Sequence, residues 1–271
     1  GFSGVLAVYS SAILRARRYQ DYPGSDRFGV LSGDLSKAVY SEGIYVGYRY
    51  FDSFGVQPLF PFGYGLSYTS FDIQMAGLRV LPCAVEVDAA VKNTGICFSG
   101  REVVQLYISC PQNGAARELR RLAGFSKTLL LAPEQSQTLT ISIPQKAFAS
   151  FSDKKKGWVV EQGLYGIWMG NSSASLTLCA MLRVAQDTLI ERTHPICPVQ
   201  NPFEELGVSE AARKIFTGSD ELPVYDFVPQ MEEAPICSQL SMADGPAEEL
   251  IPLLYGNITK GTSTLGSAGV R

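Results

Sequence analysis

Glu42, Arg49 and Asp52 are the charged residues that stand inside the most aromatic stretch of the chain, YSEGIYVGYRYFDSFGVQPLFPFGYGLSY (Tyr40–Tyr68). Two uses of such a set compete. The acids can reach the rim of an active site, or they can pair with Arg49 and fix the geometry of the loop. Charges among aromatic rings are desolvated at a cost unless paired, so pairing with Arg49 is expected. Other reactive groups are sparse. His194 is the only histidine and lies with Cys197 in THPICP. Two ligands at H-x-x-C spacing do not make a zinc site, which needs three or four. No G-x-S-x-G accompanies the histidine, so a serine-hydrolase triad is not expected. Dinucleotide and P-loop glycine patterns are absent. Glu204-Glu205, Glu232-Glu233 and Glu248-Glu249 are neighbours along the chain and point in different directions, as solvated acids do. Trp158 and Trp168 can stack on a sugar ring, but packing within or between sheets is the expected use. Asn171-Ser172-Ser173 and Asn257-Ile258-Thr259 fit the weak acceptor pattern for glycosylation. No catalytic, cofactor-binding or metal-binding residue is assigned, and no cofactor is expected.

The elements that position these groups are mainly strands. In AVEVDAAVKN, Val85, Val87, Ala89 and Val91 share one face, opposite Glu86, Asp88 and Lys92. The same period of two runs through EVVQLYIS, QTLTISI, GLYGIWMG and SLTLCAMLRV, which is the pattern of half-buried strands. Turn signals separate them at Asn93-Thr94-Gly95, Asn113-Gly114, Ala132-Pro133-Glu134 and Lys156-Gly157. Residues 71–186 are therefore expected to form one β-sandwich. The aromatic stretch, residues 40–70, carries Gly43, Gly47, Gly55, Gly63 and Gly65, which predict tight turns. Its rings predict burial, with Phe60, Phe62 and Tyr64 as anchors. Residues 187–246 are rich in proline and acids and read as a linker. Val224, Tyr225, Phe227 and Val228 give that linker a reason to pack on a neighbouring domain. A short helix is expected in AEELIPLLYG, limited by Pro252.

Composition bounds the rest. The chain is 46% hydrophobic and 18% charged, with a net charge of −3. Nothing in that balance recruits nucleic acid or an anionic membrane. No apolar run approaches the ~18 residues of a membrane helix. Arg15, Arg17 and Arg18 read as a solvated face. Six cysteines are scattered without a CxxC pair, so reduced thiols are expected. In GFSGVLAVYSSAILRARR the charges follow the apolar run, unlike a signal peptide. The chain starts at Gly1, which suggests a start inside a longer gene, and a cytoplasmic location is expected.

EGIYVGYRYFD followed by PLFPFGYGLSYTSF resembles the stretch before the C-terminal domain of glycoside hydrolase family 3, the β-glucosidase family. VKNTG, EVVQLYIS, RELRRLAGFSKTLLLAPEQSQTLTISI and GWVVEQGLYGIWMGNSS resemble that family's fibronectin type III-like domain, an immunoglobulin-like sandwich. The resemblance covers about residues 19–186. It implies that residues 1–39 are the remnant of a preceding α/β domain. EELIPLLYG and TSTLGSAGV in residues 247–271 resemble the start of the barrel domain in permuted bacterial members. It further implies a retaining β-glucosidase acting on a β-glucoside or oligosaccharide in the complete enzyme. The nucleophile of that family lies in the barrel and the acid/base comes from the α/β domain or a loop. Both domains are then missing partners of this chain, and none of its acids takes either role. Glucosidases, xylosidases and N-acetylglucosaminidases share the signature, so it names a family and not a sugar. The chain is expected to be an inactive scaffold portion. The rival reading is a free-standing accessory or carbohydrate-binding module, which an exposed aromatic platform would favour.

Overall fold

Strands β1 (Phe71–Val80), β2 (Ala84–Asn93) and β5 (Ser136–Pro144) form an antiparallel sheet in the order β1-β2-β5. The facing sheet contains β3 (Val103–Ser109), β4 (Arg121–Lys127), β8 (Gly163–Ser172), β9 (Ser175–Val184) and β11 (Val224–Asp226), in the order β11-β9-β8-β3-β4. Three short strands, β6 (Ser150–Ser152), β7 (Gly157–Val160) and β10 (Thr188–Arg192), form a small third sheet. The structure, a computed structural model, describes residues 18–22, 42–112, 117–193, 216 and 221–231. His194, Cys197, Cys237, Arg15, Arg17, the three carboxylate pairs and the expected helix in residues 247–256 lie outside the described residues.

The alternation of the sequence places the core. Val85, Val87 and Ala89 of β2 pair in register with Ile143, Ile141 and Leu139 of β5 and point inward. Val104, Leu106 and Ile108 of β3 oppose them, with Tyr165, Ile167 and Met169 of β8 and Ala180, Leu182 and Val184 of β9. Each large aliphatic side chain so buried contributes about 1.5–3 kcal/mol. All five segments with a clean period of two are strands, so the chain is mainly β and a sandwich.

Two long strands were not expected, for local reasons. In β1 the inward residues are Phe71, Ile73 and Met75, then Leu78 and Val80. A bulge between Met75 and Gly77 shifts the phase and breaks the period. β4 carries a small-residue pair, Ala123-Gly124, and a register shift opposite Leu106 and Tyr107. A side chain at residue 124 would meet the Ile141 Cγ2 atom at 3.0 Å, so glycine is what lets β4 approach β5.

The stretch expected as linker is partly built into the sandwich. β10 pairs antiparallel with β7, and its Ile190 is fully buried. β11 adds in parallel to β9, with the Met181 N–H donating to Pro223 O at 2.9 Å and the Phe227 N–H to Arg183 O at 2.9 Å. Phe227 is 1% exposed and packs on Phe148 with ring centroids 5.2 Å apart. Phe227 therefore finds its partner in the neighbouring sandwich, as its apolar character led one to expect. Tyr225 leans on the core as well, while Val224 and Val228 remain exposed.

Candidate functional site

β3 is buried on both faces, which its polar outer residues do not announce. Gln105, Tyr107 and Ser109 point away from the core, yet all three are buried. The aromatic segment covers them. Its helix among the described residues, α1 (Tyr48–Phe54), has two turns and stops at Gly55, whose φ of 67° is the left-handed conformation of a helix C-terminus. Four groups tie this segment to the β3–β4 connection and the start of β4. The Leu122 N–H donates to the Tyr48 hydroxyl at 2.8 Å, and the Leu119 N–H to the Ser53 hydroxyl at 2.9 Å. Asp52 pairs with Arg120 at 3.2 Å, and the Tyr45 hydroxyl donates to Arg117 O at 3.4 Å. Tyr48 stacks edge-on against Tyr107 at 5.6 Å and lies 5.4 Å from Phe62.

From there a polar network runs under the segment. The Tyr107 hydroxyl donates to Gln105 Oε1 at 2.6 Å, and Gln105 Nε2 donates to Asn171 O at 2.9 Å. Burial, with Tyr48 and Asp52 adding to it, pushes the Tyr107 phenol far above its usual value, so it remains a donor. The Arg120 guanidinium sits 5.1 Å over the Trp168 ring and also donates to Ser173 O at 3.3 Å. Trp168 Nε1 donates to the Ser109 hydroxyl at 2.9 Å. The Ser173 N–H donates to Phe62 O at 2.9 Å. Gly63, at φ 84°, lies so close that a Cβ there would be 2.8 Å from Asn171 O. Buried donors and acceptors joined in this way fix one arrangement of segment and sheet.

Two expectations about the segment are corrected. Asp52 reaches Arg120 and not Arg49, because the helix turns it toward the sheet, where partial burial strengthens the pair. Glu42 is half-buried, and its carbonyl accepts a turn hydrogen bond from the Tyr45 N–H. The segment as a whole is not mostly buried. Tyr45, Phe51 and Ser53 are buried, and Phe62 is half-buried. The expected anchors Phe60 and Tyr64 are exposed, at 42% and 49%, and Tyr68 is 92% exposed. A single layer of rings on one sheet face buries only the side that meets the sheet. Trp158 packs on the core beside Phe151 and beneath Lys146, so neither tryptophan is a bare stacking surface.

The acids of this region are engaged. Arg117 holds Glu161 at 2.7 Å and Arg121 holds Glu118 at 2.7 Å. At the surface, hydrogen bonds from Arg79 and Thr140 hold the Asp88 carboxyl below its usual range, and Lys155 with the Gln162 N–H does the same for Asp187. Both stay ionised, the reverse of a general acid held protonated. Among the described residues no three His, Cys, Asp or Glu side chains gather as a metal site requires. No described helix is long and apolar enough to cross a membrane. Cys83, Cys97, Cys110 and Cys179 are free thiols.

A two-sheet sandwich with this strand order is an immunoglobulin-like fold, and residues 102–173 match the fibronectin type III-like domain family. Most of the relatives that match over this region are named β-glucosidases, with an exo-α-(1→6)-L-arabinopyranosidase of Bifidobacterium breve among them. The β-glucosidase of Ruminococcus albus is 38% identical over 192 residues, which cover 69% of this chain and 20% of that protein. The solved β-glucosidase from Paenibacillus barengoltzii is 36% identical with a TM-score of 0.62, covering 67% of this chain and 21% of that one. β-Glucosidase 3B from Thermotoga neapolitana, solved in complex with glucose, is 38% identical with a TM-score of 0.58, covering 64% and 24%. The chain thus spans about a fifth of the length of the curated relatives it matches.

Proposed function

We propose that this chain is the scaffold portion of a retaining β-glucosidase and does no hydrolysis by itself. The observation that carries the reading is the likeness to β-glucosidases confined to about a fifth of their length. Retaining hydrolysis needs a nucleophilic carboxylate about 5–5.5 Å from an acid/base carboxyl. Asp52 within the aromatic segment, and Glu118 and Glu161 beside it, are each held by an arginine. Their role is to fasten the segment and the loop that follows β3. The complete enzyme would act on terminal β-linked sugars, with water as acceptor.

A carbohydrate-binding module is the second reading, favoured by the exposed rings of Phe60, Tyr64, Tyr68 and Phe98. The geometry argues against it. Tyr68 and Phe98 are inclined at 53° and Phe60 and Tyr64 at 50°, so neither pair makes a flat platform for sugar rings. The test is the purified chain on 4-nitrophenyl β-glucoside, with calorimetry against cello- and laminari-oligosaccharides alongside. No nitrophenol and no heat of binding are expected. Turnover within about a hundredfold of a full-length relative, abolished by changing one acid, would overturn the scaffold reading. Saturable oligosaccharide binding lost in Tyr68→Ala would establish the module.

A further inference from the structure

One end of the sandwich presents uncharged apolar side chains on three loops. Leu66 and Tyr68 lead into β1, Ile96 and Phe98 follow β2, and Leu129 and Leu130 follow β4. Leu66 is 91% and Ile96 86% exposed. None of the stretches 59–70, 94–100 and 128–133 contains a charged residue. Exposed apolar loops of this kind are ordinarily loose. Here they are pinned by one fully buried side chain, Asn93. Its Oδ1 accepts from the Thr69 hydroxyl at 2.5 Å and from the Gly95 N–H at 3.0 Å. Its Nδ2 donates to Phe98 O at 2.9 Å and to Leu131 O at 2.9 Å. That uses the whole hydrogen-bonding capacity of the amide and joins all three loops. The Gly100 and Leu131 N–H groups donate to each other's carbonyls at 3.0 and 2.8 Å and reinforce the clamp. The Tyr68 and Phe98 rings meet at 6.0 Å. Such a surface has already lost its conformational freedom, which is what makes a face ready to bind.

We propose that this Asn93-pinned end is a preformed docking face for the catalytic portion of a family 3 β-glucosidase. The inference rests on the scaffold reading above and says where the contact falls. Two observations commit it to that occupant. The match covers 21% of the similar solved enzyme's chain, so nearly four-fifths of that chain lies outside it. Two other surfaces among the described residues are charged instead. The outer face of β1 and β2 carries Arg79 with Glu86 and Asp88, and the small sheet carries Lys146 with Glu191 and Lys155 with Asp187. Surfaces buried between parts of one chain are depleted of charge at their centre and rich in aromatic and aliphatic side chains. A contiguous exposed apolar patch is otherwise rare on a soluble protein.

The test sediments the full chain with the Ruminococcus albus β-glucosidase lacking its matched region. The comparison is between wild type, a Leu66→Asp/Ile96→Asp double variant, and Val228→Asp, an exposed apolar position at the opposite end. Both altered residues of the double variant are almost wholly exposed, so its fold should be intact by circular dichroism. Wild type and Val228→Asp are expected to associate, and the double variant at least about tenfold more weakly. To separate docking from a folding failure of the shortened relative, the chains are also grafted into the full-length relative. There the double variant alone is expected to lower the melting temperature. Equal association and equal melting of double variant and wild type would overturn the docking face and leave the scaffold reading standing. A wild-type chain that dimerises through this end and ignores the relative would also overturn it. No association in trans and an unfolded graft would remove both.

Discussion

Phe227→Ala would test whether the segment returning to β9 completes the sandwich core. The ring is 1% exposed and packs against Phe148, within the cluster that includes Tyr165 and Val160. Truncating a buried Phe typically costs about 3–5 kcal/mol. The outcome need not be a cavity. Apart from the ring, the segment is held by its three-residue ladder to β9 with the two flanking backbone hydrogen bonds, by Tyr225 on the core and by the Gln230 N–H, which donates to the buried Gln145 side chain at 3.0 Å. Each such hydrogen bond contributes about 1 kcal/mol net. Ordering the backbone of each residue in residues 224–230 opposes folding by about 1–2 kcal/mol. Without the ring, the balance favours release, and the segment should peel from β9. Two readouts follow. The melting temperature should fall by roughly 10 °C, since 1 kcal/mol is about 2–4 °C in a domain of this size. The Met181 amide, which donates to Pro223 O, should lose its protection from hydrogen exchange. Val228→Ala, an exposed neighbour, should change neither. A Phe227→Ala protein melting within about 2 °C of wild type, with the Met181 amide still protected, would show that the ring does not hold the segment on β9.

Other outcomes follow from the same structure. Arg120→Ala removes the pair with Asp52, the bond to Ser173 O and the contact with Trp168, and should destabilise by about 3 kcal/mol in urea unfolding. A loss below about 1 kcal/mol would mean the seam under the aromatic segment is not the fastening described. The folded Asp88 carboxyl binds its proton more weakly than the unfolded one, so its contribution is present above about pH 4 and is lost as pH falls through the folded value. Asp88→Asn should therefore melt lower than wild type at neutral pH, and the gap should close in acid; a gap that widens in acid would contradict this. Burial pushes the Cys110 thiol up to about 11, whereas Cys83 and Cys97 are exposed. Iodoacetamide at pH 8 should alkylate Cys83 and Cys97 in the native protein and reach Cys110 only after unfolding, as peptide mass mapping would record.

How much of this was legible in the sequence varied by element. β2, β5, β8 and β9 alternate cleanly because one face is core and the other meets water or polar groups. β3 alternates too, but its outer residues are covered, and Gln105, Tyr107 and Ser109 betray that only through hydrogen bonds made after folding. β1 was hidden by a bulge, β4 by Gly124, and β6, β7 and β11 by their length. Gly43, Gly47, Gly55 and Gly63 do take positive φ, as turn chemistry implied. The aromatic count was read as burial, but density along the chain does not say whether a second surface lies above the rings. Asp52 was paired with its sequence neighbour Arg49 because Arg120 is remote in sequence and comes near only through the sheet. The Asn93 clamp had one visible sign, an Asn before Thr94-Gly95, which reads as a turn and gives no hint of four hydrogen bonds.

The most direct measurement is nitrophenol release from 4-nitrophenyl β-glucoside by the Ruminococcus albus β-glucosidase lacking its matched region, with and without this chain added. No release is expected from either piece alone, and release is expected when they are combined. Release by this chain alone, lost on replacing one of its own carboxylates, would contradict the scaffold reading.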